Sequence, residues 1–380
     1  MTGGEVEGEV DGTKAADPAL QALIEQVRAA RADGTQLDIR GGGTKAWYGE
    51  APQGVPLDVT GLRGISSYEP TELVVTVRAG TPLAELEAAL AEKGQCLPFE
   101  PPRFARNDAV GGTVGGMVAA GLAGPARAAV GGVRDYVLGA TLLNGRAEVL
   151  SFGGQVMKNV AGYDVARLLA GSMGTLGVIC EVSLKVLPVP VARTTLRFDV
   201  AQADALRMLN TWCGQPLPLN ASAWWHGVLV LRLAGAAAAV DAAVARLGGE
   251  VVDAAMADSF WTGLRDQTDE FFIGAAQAVD GGAALWRMSV PQVAAPLVLA
   301  DEQLVEWGGA QRWLISSAPA DQVRAAAAAA GGHATLYRSL DKSPGVFAPL
   351  SAPLARIQRD LQTAFDPDRV FNRGRLYPER

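Results

Sequence analysis

Asp38-Ile39-Arg40-Gly41-Gly42-Gly43-Thr44-Lys45 is the stretch from which the fold can be read. A short apolar strand pattern, Leu37-Asp38-Ile39, runs into three consecutive glycines, then a hydroxyl and an amine. Glycine tolerates positive φ and a close backbone approach, and successive backbone N–H groups in such turns make a concavity for phosphate oxygens. Two more segments share this character: Gly111-Gly112-Thr113-Val114-Gly115-Gly116 and Gly171-Ser172-Met173-Gly174-Thr175-Leu176-Gly177. Each abuts an apolar strand or helix pattern. Three such loops at wide spacing point to one extended, anion-rich ligand laid across all of them. The rival is a nicotinamide-type site, which needs G-x-G-x-x-G opening a helix inside a βαβ unit, with an acid further on. The sequence holds no such arrangement.

Composition narrows the function. A chain of 380 residues is long for one core, so two domains are expected. With 49% hydrophobic and 19% charged residues it reads as globular. A net charge of −7 argues against nucleic acid, where basic stripes are expected. Cys96, Cys180 and Cys213 lie far apart and form no CxxC, which excludes zinc ribbons and cysteine-ligated iron–sulfur clusters in this chain. So sparse a count fits a reducing compartment. Met1 to Lys14 is glycine-rich and acidic, without the basic and apolar regions of a signal peptide. No run of about 18 apolar residues suggests a membrane span. The expectation is a cytoplasmic protein with residues 1–16 disordered.

The pattern along the chain predicts a helix over 18–32, with Leu20, Leu23, Ile24 and Val27 at helical spacing. Strands are expected at Leu37–Ile39, Pro56–Val59, Ile65–Tyr68 and Leu73–Val77. Thr81-Pro82 should cap a helix running to Gly94. Residues 114–120 continue the second glycine segment as a helix or turn. Val137–Leu143 and Glu148–Phe152 should form a hairpin turned at Asn144-Gly145. Val178–Val186 alternates like a strand. After Pro188-Val189-Pro190 the composition shifts to alanine and tryptophan. Two units of strand, helix and strand follow: Ala223–Leu233, Ala236–Leu247 and Glu250–Val252, then Arg312–Ser316, Ala320–Ala330 and Ala334–Tyr337. They suggest an α+β domain with helices on one face of an antiparallel sheet. A last helix, Leu354–Phe365, leads into Asp366-Pro367-Asp368-Arg369-Val370-Phe371-Asn372-Arg373-Gly374-Arg375-Leu376.

RGGGTK (40–45), GGTVGGMVAAGLAGP (111–125), RDYVLG (134–139), KNVAGYD (158–164), GSMGTLGVI (171–179) and DPDRVFNRGRL (366–376), in this order, resemble the vanillyl-alcohol oxidase-like flavoproteins with their p-cresol methylhydroxylase-type FAD-binding domain. The resemblance covers roughly residues 35–190 and 354–377. It implies a two-domain α+β fold: an FAD-binding domain (17–190) completed by a C-terminal return (346–380), with an inserted α+β domain (194–345). It also implies FAD contacts from Arg40, Gly41, Gly42, Gly43, Thr44 and Lys45, from Gly111, Gly112, Thr113, Gly115, Gly116 and Gly121, and from Gly174, Val178 and Asn372. Some members tether FAD through a His after the first glycines. Thr44 stands there, which implies a noncovalent flavin.

Within the family, the chain departs from the members that oxidise 2-hydroxy acids by themselves. MVAAGLAGP (117–125) replaces their polar NVAENAGGP-type stretch, Met173 replaces the acid of an SEGTLG-type turn, and no HxGDGNxH-type metal segment is present. These departures resemble the FAD-binding subunit of multi-subunit bacterial glycolate oxidases. What this implies is a flavin-bearing chain beside a catalytic FAD subunit and an iron–sulfur subunit, meeting glycolate through the complex. The location implied is cytoplasmic or, through the partners, peripheral at the inner membrane. No metal is expected and no catalytic set can be picked out. A self-sufficient D-lactate-type dehydrogenase and a non-catalytic scaffold are the alternatives.

Other residues read more plainly. His226, after Trp224-Trp225, suits a core edge, and His333 a helix C-terminus. Trp224, Trp225, Trp261, Trp286, Trp307 and Trp313 suit a buried core. Arg287 and Arg312, each beside a tryptophan, are candidate anchors at a subunit interface. Lys158, Tyr163 and Asp164 form a polar loop, for which the resemblance implies a packing role near the flavin, and Arg134-Asp135 a local ion pair or turn cap.

Overall fold

The computed structural model describes residues 17–106, 109–154, 164–299 and 301–378. The expected disorder of residues 1–16, and Lys158 and Tyr163 of the polar loop, lie outside the described residues.

The longer elements, numbered in chain order, begin with α1 (Pro18–Asp33), β1 (Leu37–Arg40), β2 (Val55–Asp58), β3 (Ile65–Glu69), β4 (Val74–Arg78), α2 (Leu83–Ala91) and α3 (Val114–Ala120). After them come β5 (Val137–Leu143), β6 (Val149–Gly153) and β7 (Val178–Lys185). The Asp17 side chain caps α1, and Gly34 ends it at φ +69°. Leu20, Leu23, Ile24 and Val27 are buried against Leu57, Val59 and Leu62. β1 and β2 pair in parallel. The others form an antiparallel sheet ordered β3-β4-β7-β5-β6. One of its faces buries Val75, Val77, Leu142, Val182 and Leu184 against Leu86 and Leu90 of α2 and Val118 of α3.

Two local expectations change. Thr81 does not cap α2; its hydroxyl accepts from Gly64 N at 2.9 Å, tying the strand end to the preceding loop. In the β5–β6 hairpin the left-handed residue is Ala147 (φ +60°), not Gly145. The Asn144 side chain makes the turn by accepting from the Arg146 and Glu148 N–H groups at 2.9 and 3.0 Å.

The second unit comprises β8 (Ala192–Asp199), α4 (Gln202–Cys213), β9 (Leu219–Trp225), β10 (Val228–Gly235), α5 (Ala237–Leu247), β11 (Glu250–Val251), α6 (Ala254–Asp266) and α7 (Glu270–Asp280). It continues with β12 (Ala284–Ser289), β13 (Gln303–Glu306), β14 (Gln311–Ser316), α8 (Ala320–Ala329) and β15 (His333–Arg338). Its eight strands form one antiparallel sheet, ordered β11-β8-β10-β9-β13-β14-β12-β15.

The expected single strand 223–233 is in fact two, folded at His226-Gly227, where His226 takes φ +48°. His226 is exposed in that turn, its Nε2 3.1 Å from Glu302 Oε1. His333 opens β15 instead of ending a helix. The two expected helices, α5 and α8, cover one face of the sheet together with α4, but the expectation of helices on one face only does not hold. α6 and α7 lie on the other, with Tyr48, Phe104 and Met173 of the first unit. Strands such as β14 are apolar toward both sides, Trp313 to one face and Leu314 to the other, so both needed covering. Arg312 is no interface anchor. It is fully buried, and its guanidinium donates to the carbonyls of Gly309, Ala295 and Ala294 at 3.1, 2.6 and 2.6 Å.

The chain then returns to the first unit through α9 (Ala352–Phe365). Phe365 packs on Phe152. The Asp366 carboxylate accepts from the Val370 and Phe371 N–H groups at 3.0 and 2.8 Å. Gly145 donates to the Phe365 carbonyl at 3.0 Å, and no larger residue fits there, since a Cβ would come 2.1 Å from Asp366 Oδ1. The tail then runs along β1, with Leu37 N bonded to Val370 O at 2.7 Å and Asn372 N to Leu37 O at 2.9 Å.

Candidate functional site

The glycine loops and the tail meet around a cavity of about 290 Å³. The first loop follows β1, whose position is fixed by β2 on one side and the tail on the other. The second leads into α3, capped by Thr113, whose hydroxyl accepts from Gly116 N at 3.2 Å. The two loops touch. A Cβ on Gly41 would come 2.3 Å from Thr113 Oγ1, and one on Gly42 3.0 Å from Gly112 N. Gly115 lets α3 close onto β4, where a Cβ would meet Ala79 Cβ at 2.7 Å.

The third wall is the turn Met173-Gly174, with φ +53° and +73° in succession. Asn372 locks it to the first loop: its Oδ1 accepts from Ile39 N at 2.7 Å and its Nδ2 donates to Met173 O at 2.6 Å. A Cβ on Gly174 would come 2.6 Å from that Nδ2. Arg375 holds the far end of the first loop by donating to the carbonyls of Ala46 (2.8 Å) and Glu50.

The electrostatics are one-sided. Burial pulls the Lys45 amine down to about 8, and among the described residues no carboxylate stands at ion-pair distance from it; its Nζ lies 3.5 Å from Thr44 Oγ1. Its Nζ points to the second loop, where a Cβ on Gly112 would lie 3.5 Å away. Arg40 is paired with Asp38 at 2.6 Å. A cavity walled on one side by the bare backbone of Gly41, Gly42 and Gly112, with the Lys45 amine beside it, suits phosphate oxygens. The donors fit the pyrophosphate of a dinucleotide.

Of the residues expected to contact FAD, Arg40 through Lys45, Gly112, Thr113, Gly115, Gly116, Gly174 and Asn372 line this cavity. Three do not. The Gly111 N–H is 3.3 Å from the Phe104 carbonyl. Gly121 ends α3 at φ +63° against the Gly171 backbone. Val178 is fully buried among the side chains beneath α1. Sequence reading did not single out Asp38, Ile39, Pro52, Val59, Ala79, Ala119, Met173 or Arg375 as lining residues. Asp38 and Ile39 lead into the first glycine loop, Met173 lies in the third and Arg375 in the tail motif with Asn372; the other four carried no signal.

Comparison with known proteins gives the family. A family model described as an FAD binding domain matches residues 19–153. The glycolate oxidase subunit GlcE of Escherichia coli (strain K12) is 48% identical over 359 residues, covering 94% of this chain and 97% of that protein. The glycolate oxidase subunit GlcD of Bacillus subtilis (strain 168) is 31% identical over 44% of this chain and 35% of its own. A D-lactate dehydrogenase of Anaerostipes hadrus is 35% identical over 36% of this chain and 28% of its own. Among solved structures, an alkyldihydroxyacetonephosphate synthase superposes with a TM-score of 0.65 at 14% identity, covering 93% of this chain and 74% of that one, a likeness of fold. FAD is the cofactor, and the fold is that of the p-cresol methylhydroxylase-type flavoproteins. The chain belongs to the family of the glycolate oxidase subunit GlcE, among the FAD-dependent oxidoreductases.

Proposed function

We propose that this chain is the FAD-bearing subunit of a multi-subunit glycolate oxidase and carries electrons during oxidation of glycolate to glyoxylate. Its partners in this reading are a catalytic flavoprotein subunit and an iron–sulfur subunit. Through them it sits in the cytoplasm or peripherally at the inner membrane; among the described residues no helix is long and apolar enough to cross one. The observation that carries the reading is the cavity at which glycine loops from three separate segments meet Asn372.

Residues 17–190 and 346–380 form the cofactor unit in this reading, with 194–345 inserted. Gly41, Gly42 and Gly112 give the dinucleotide close access to backbone N–H groups. Lys45 places a positive charge beside the phosphates, and Asn372 keeps the first and third loops in register. Thr44 is buried and offers only a hydroxyl, so the cofactor is held noncovalently. Bound FAD supplies the redox chemistry, while the protein supplies orientation and electrostatics.

The test is an absorbance spectrum of the purified chain, with glycolate then added anaerobically. Flavin bands that persist with glycolate and bleach once the partner subunits are added support the electron-carrying role. Bleaching by glycolate alone makes the chain a dehydrogenase in its own right. Absence of flavin after supply of FAD would make it a scaffold.

A further inference from the structure

Between β15 and α9 the chain crosses from the second unit back to the first through residues 339–351, which form neither helix nor strand. This connection is fastened to both units. On the second, Arg324 of α8 donates to the Pro344 carbonyl at 2.8 Å and to that of Gly345, and Leu336 N donates to Val346 O at 2.8 Å. On the first, the Lys342 amine donates to the carbonyls of Trp47 and Gly49 at 2.6 and 2.7 Å. Val346 N donates to Glu50 Oε1 at 2.6 Å, and Phe347 packs on Tyr48 with ring centres 5.7 Å apart. Arg287 of β12 adds a bond from its Nη2 to the Tyr48 hydroxyl at 3.0 Å.

The segment gripped in this way, residues 46–50, follows directly on Thr44 and Lys45 of the cavity wall. Tyr48 and Gly49 are buried, and Gly49 takes φ +83° in a place where a Cβ would come 2.9 Å from Arg375 O. Enclosed backbone outside helices and sheets must find donors for its carbonyls elsewhere. Those of Thr44 and Lys45 accept locally, from Trp47 Nε1 and Tyr48 N, each at 3.0 Å. Those of Ala46 and Glu50 accept from Arg375, and those of Trp47 and Gly49 from Lys342, 295 positions beyond Trp47. Bonds from an ammonium to a carbonyl are charge-assisted and stronger than neutral ones. Arg375 lines the cavity itself, whereas no residue of 339–351 does. Any effect of Lys342 on the cofactor therefore passes through the backbone that it holds.

We propose that Lys342 is a positioning residue for the cofactor: by holding the carbonyls of Trp47 and Gly49 it sets the backbone that delivers Thr44 and Lys45 to the cavity, and so couples FAD capture to the seating of the 339–351 connection. With the ammonium removed, both carbonyls lose their donor and residues 46–50 have no local replacement. The Lys45 amine is then free to swing away from the second glycine loop into water. Coupling of this kind is reciprocal. A seated connection favours FAD, and FAD favours a seated connection, although the two do not touch across the cavity wall. The inference uses the cofactor alone and goes beyond the electron-carrying role.

FAD is titrated into the cofactor-free full chain from pH 6 to 10, for the parent, Lys342→Met and Lys342→Arg. Lys342→Met should weaken FAD by tenfold or more and Lys342→Arg by much less. In Lys342→Met the decline of affinity at high pH should also move upward from about 8, because Lys45 regains water. Equal affinity in parent and Lys342→Met overturns the inference. Weaker affinity with an unmoved pH profile overturns it as well, since that marks a plain loss of stability. A second measurement needs no variant: amide hydrogen exchange of the parent with and without FAD. Exchange should slow at Gly345–Phe347 when FAD binds, and no change there overturns the coupling even if Lys342→Met fails to fold. A parent chain that takes up no FAD overturns this inference together with the flavoprotein reading. Flavin bleached by glycolate without partner subunits overturns the electron-carrying role and leaves the place of Lys342 standing.

Discussion

Glu100 of the first unit reaches Arg232 of the second, Oε1 to Nη2 at 2.6 Å, while its other carboxylate oxygen accepts the Ala126 N–H at 2.9 Å. Both side chains are largely buried, at 20% and 7% exposed, so the pair is shielded from solvent screening. Burial disfavours the Arg232 charge and Glu100 opposes that effect. Removing one partner strands the other. Glu100→Ala should therefore destabilise the protein by about 3 kcal/mol, measured by denaturant unfolding. A double-mutant cycle with Arg232→Met should show that most of the loss belongs to the pair. Additive single losses would contradict this.

Asn372→Ala leaves two backbone groups, Ile39 N–H and Met173 C=O, without their partner. Each buried orphan costs about 1–3 kcal/mol. The loops would also lose register, so FAD affinity should fall at least tenfold, read by titrating FAD into the cofactor-free variant.

Gly41→Ala tests close approach directly, because its Cβ would sit 2.3 Å from Thr113 Oγ1. The first two loops must part to admit it. FAD binding should weaken by more than tenfold, roughly 1.4 kcal/mol or more, while far-ultraviolet circular dichroism stays unchanged.

Lys45 should give cofactor binding a pH dependence. In the ligand-free protein burial pulls its amine down to about 8 from 10.5. Between these values the folded chain has lost a proton that the unfolded chain keeps, so stability without cofactor rises with pH across that window. Binding of an anion favours the charged amine and has the opposite slope. FAD affinity should be highest below pH 8 and decline above it, and Lys45→Met should flatten the profile.

Glu306 behaves in the opposite sense. Fully enclosed, it is pushed up from 4.5 to about 7 by burial, although Trp313 Nε1 (2.6 Å) and Gln311 Nε2 (3.0 Å) both donate to it. Between pH 4.5 and 7 the folded chain holds a proton that the unfolded chain lacks, so the stability associated with this proton is lost as pH rises through 7. Glu306→Gln should match the parent near pH 4.5 and exceed it at pH 8, in thermal unfolding followed across that range.

The parts of the fold legible in the sequence are those whose signal is local. Leu20, Leu23, Ile24 and Val27 mark one helix face, and Gly41 through Lys45 mark a loop whose backbone must be bare. The second unit hides its elements for a physical reason. Trp286 faces one side of its sheet and Leu285 the other, both buried, so β12 lacks the alternation that reveals a half-exposed strand. Arg312 reads as a surface group because three carbonyls that satisfy it are visible only in the folded chain. Arg287 and Tyr48 are separated by 239 positions, and no spacing rule joins them. Arg375 is legible as a motif member, but its role in holding the Ala46 and Glu50 carbonyls is not.

The return of the tail along β1 also sets an order of events during synthesis. Ile39 and Met173 leave the ribosome long before Asn372, with the whole eight-stranded sheet made in between. Until the tail arrives, β1 carries a bare edge at Leu37 and Ile39, and the third loop lacks its clamp. All five strands of the first sheet precede the second unit in the chain, whereas the wall of the glycine-lined cavity that Asn372 supplies follows it. A chain cut short of Asn372 lacks the clamp between Ile39 and Met173.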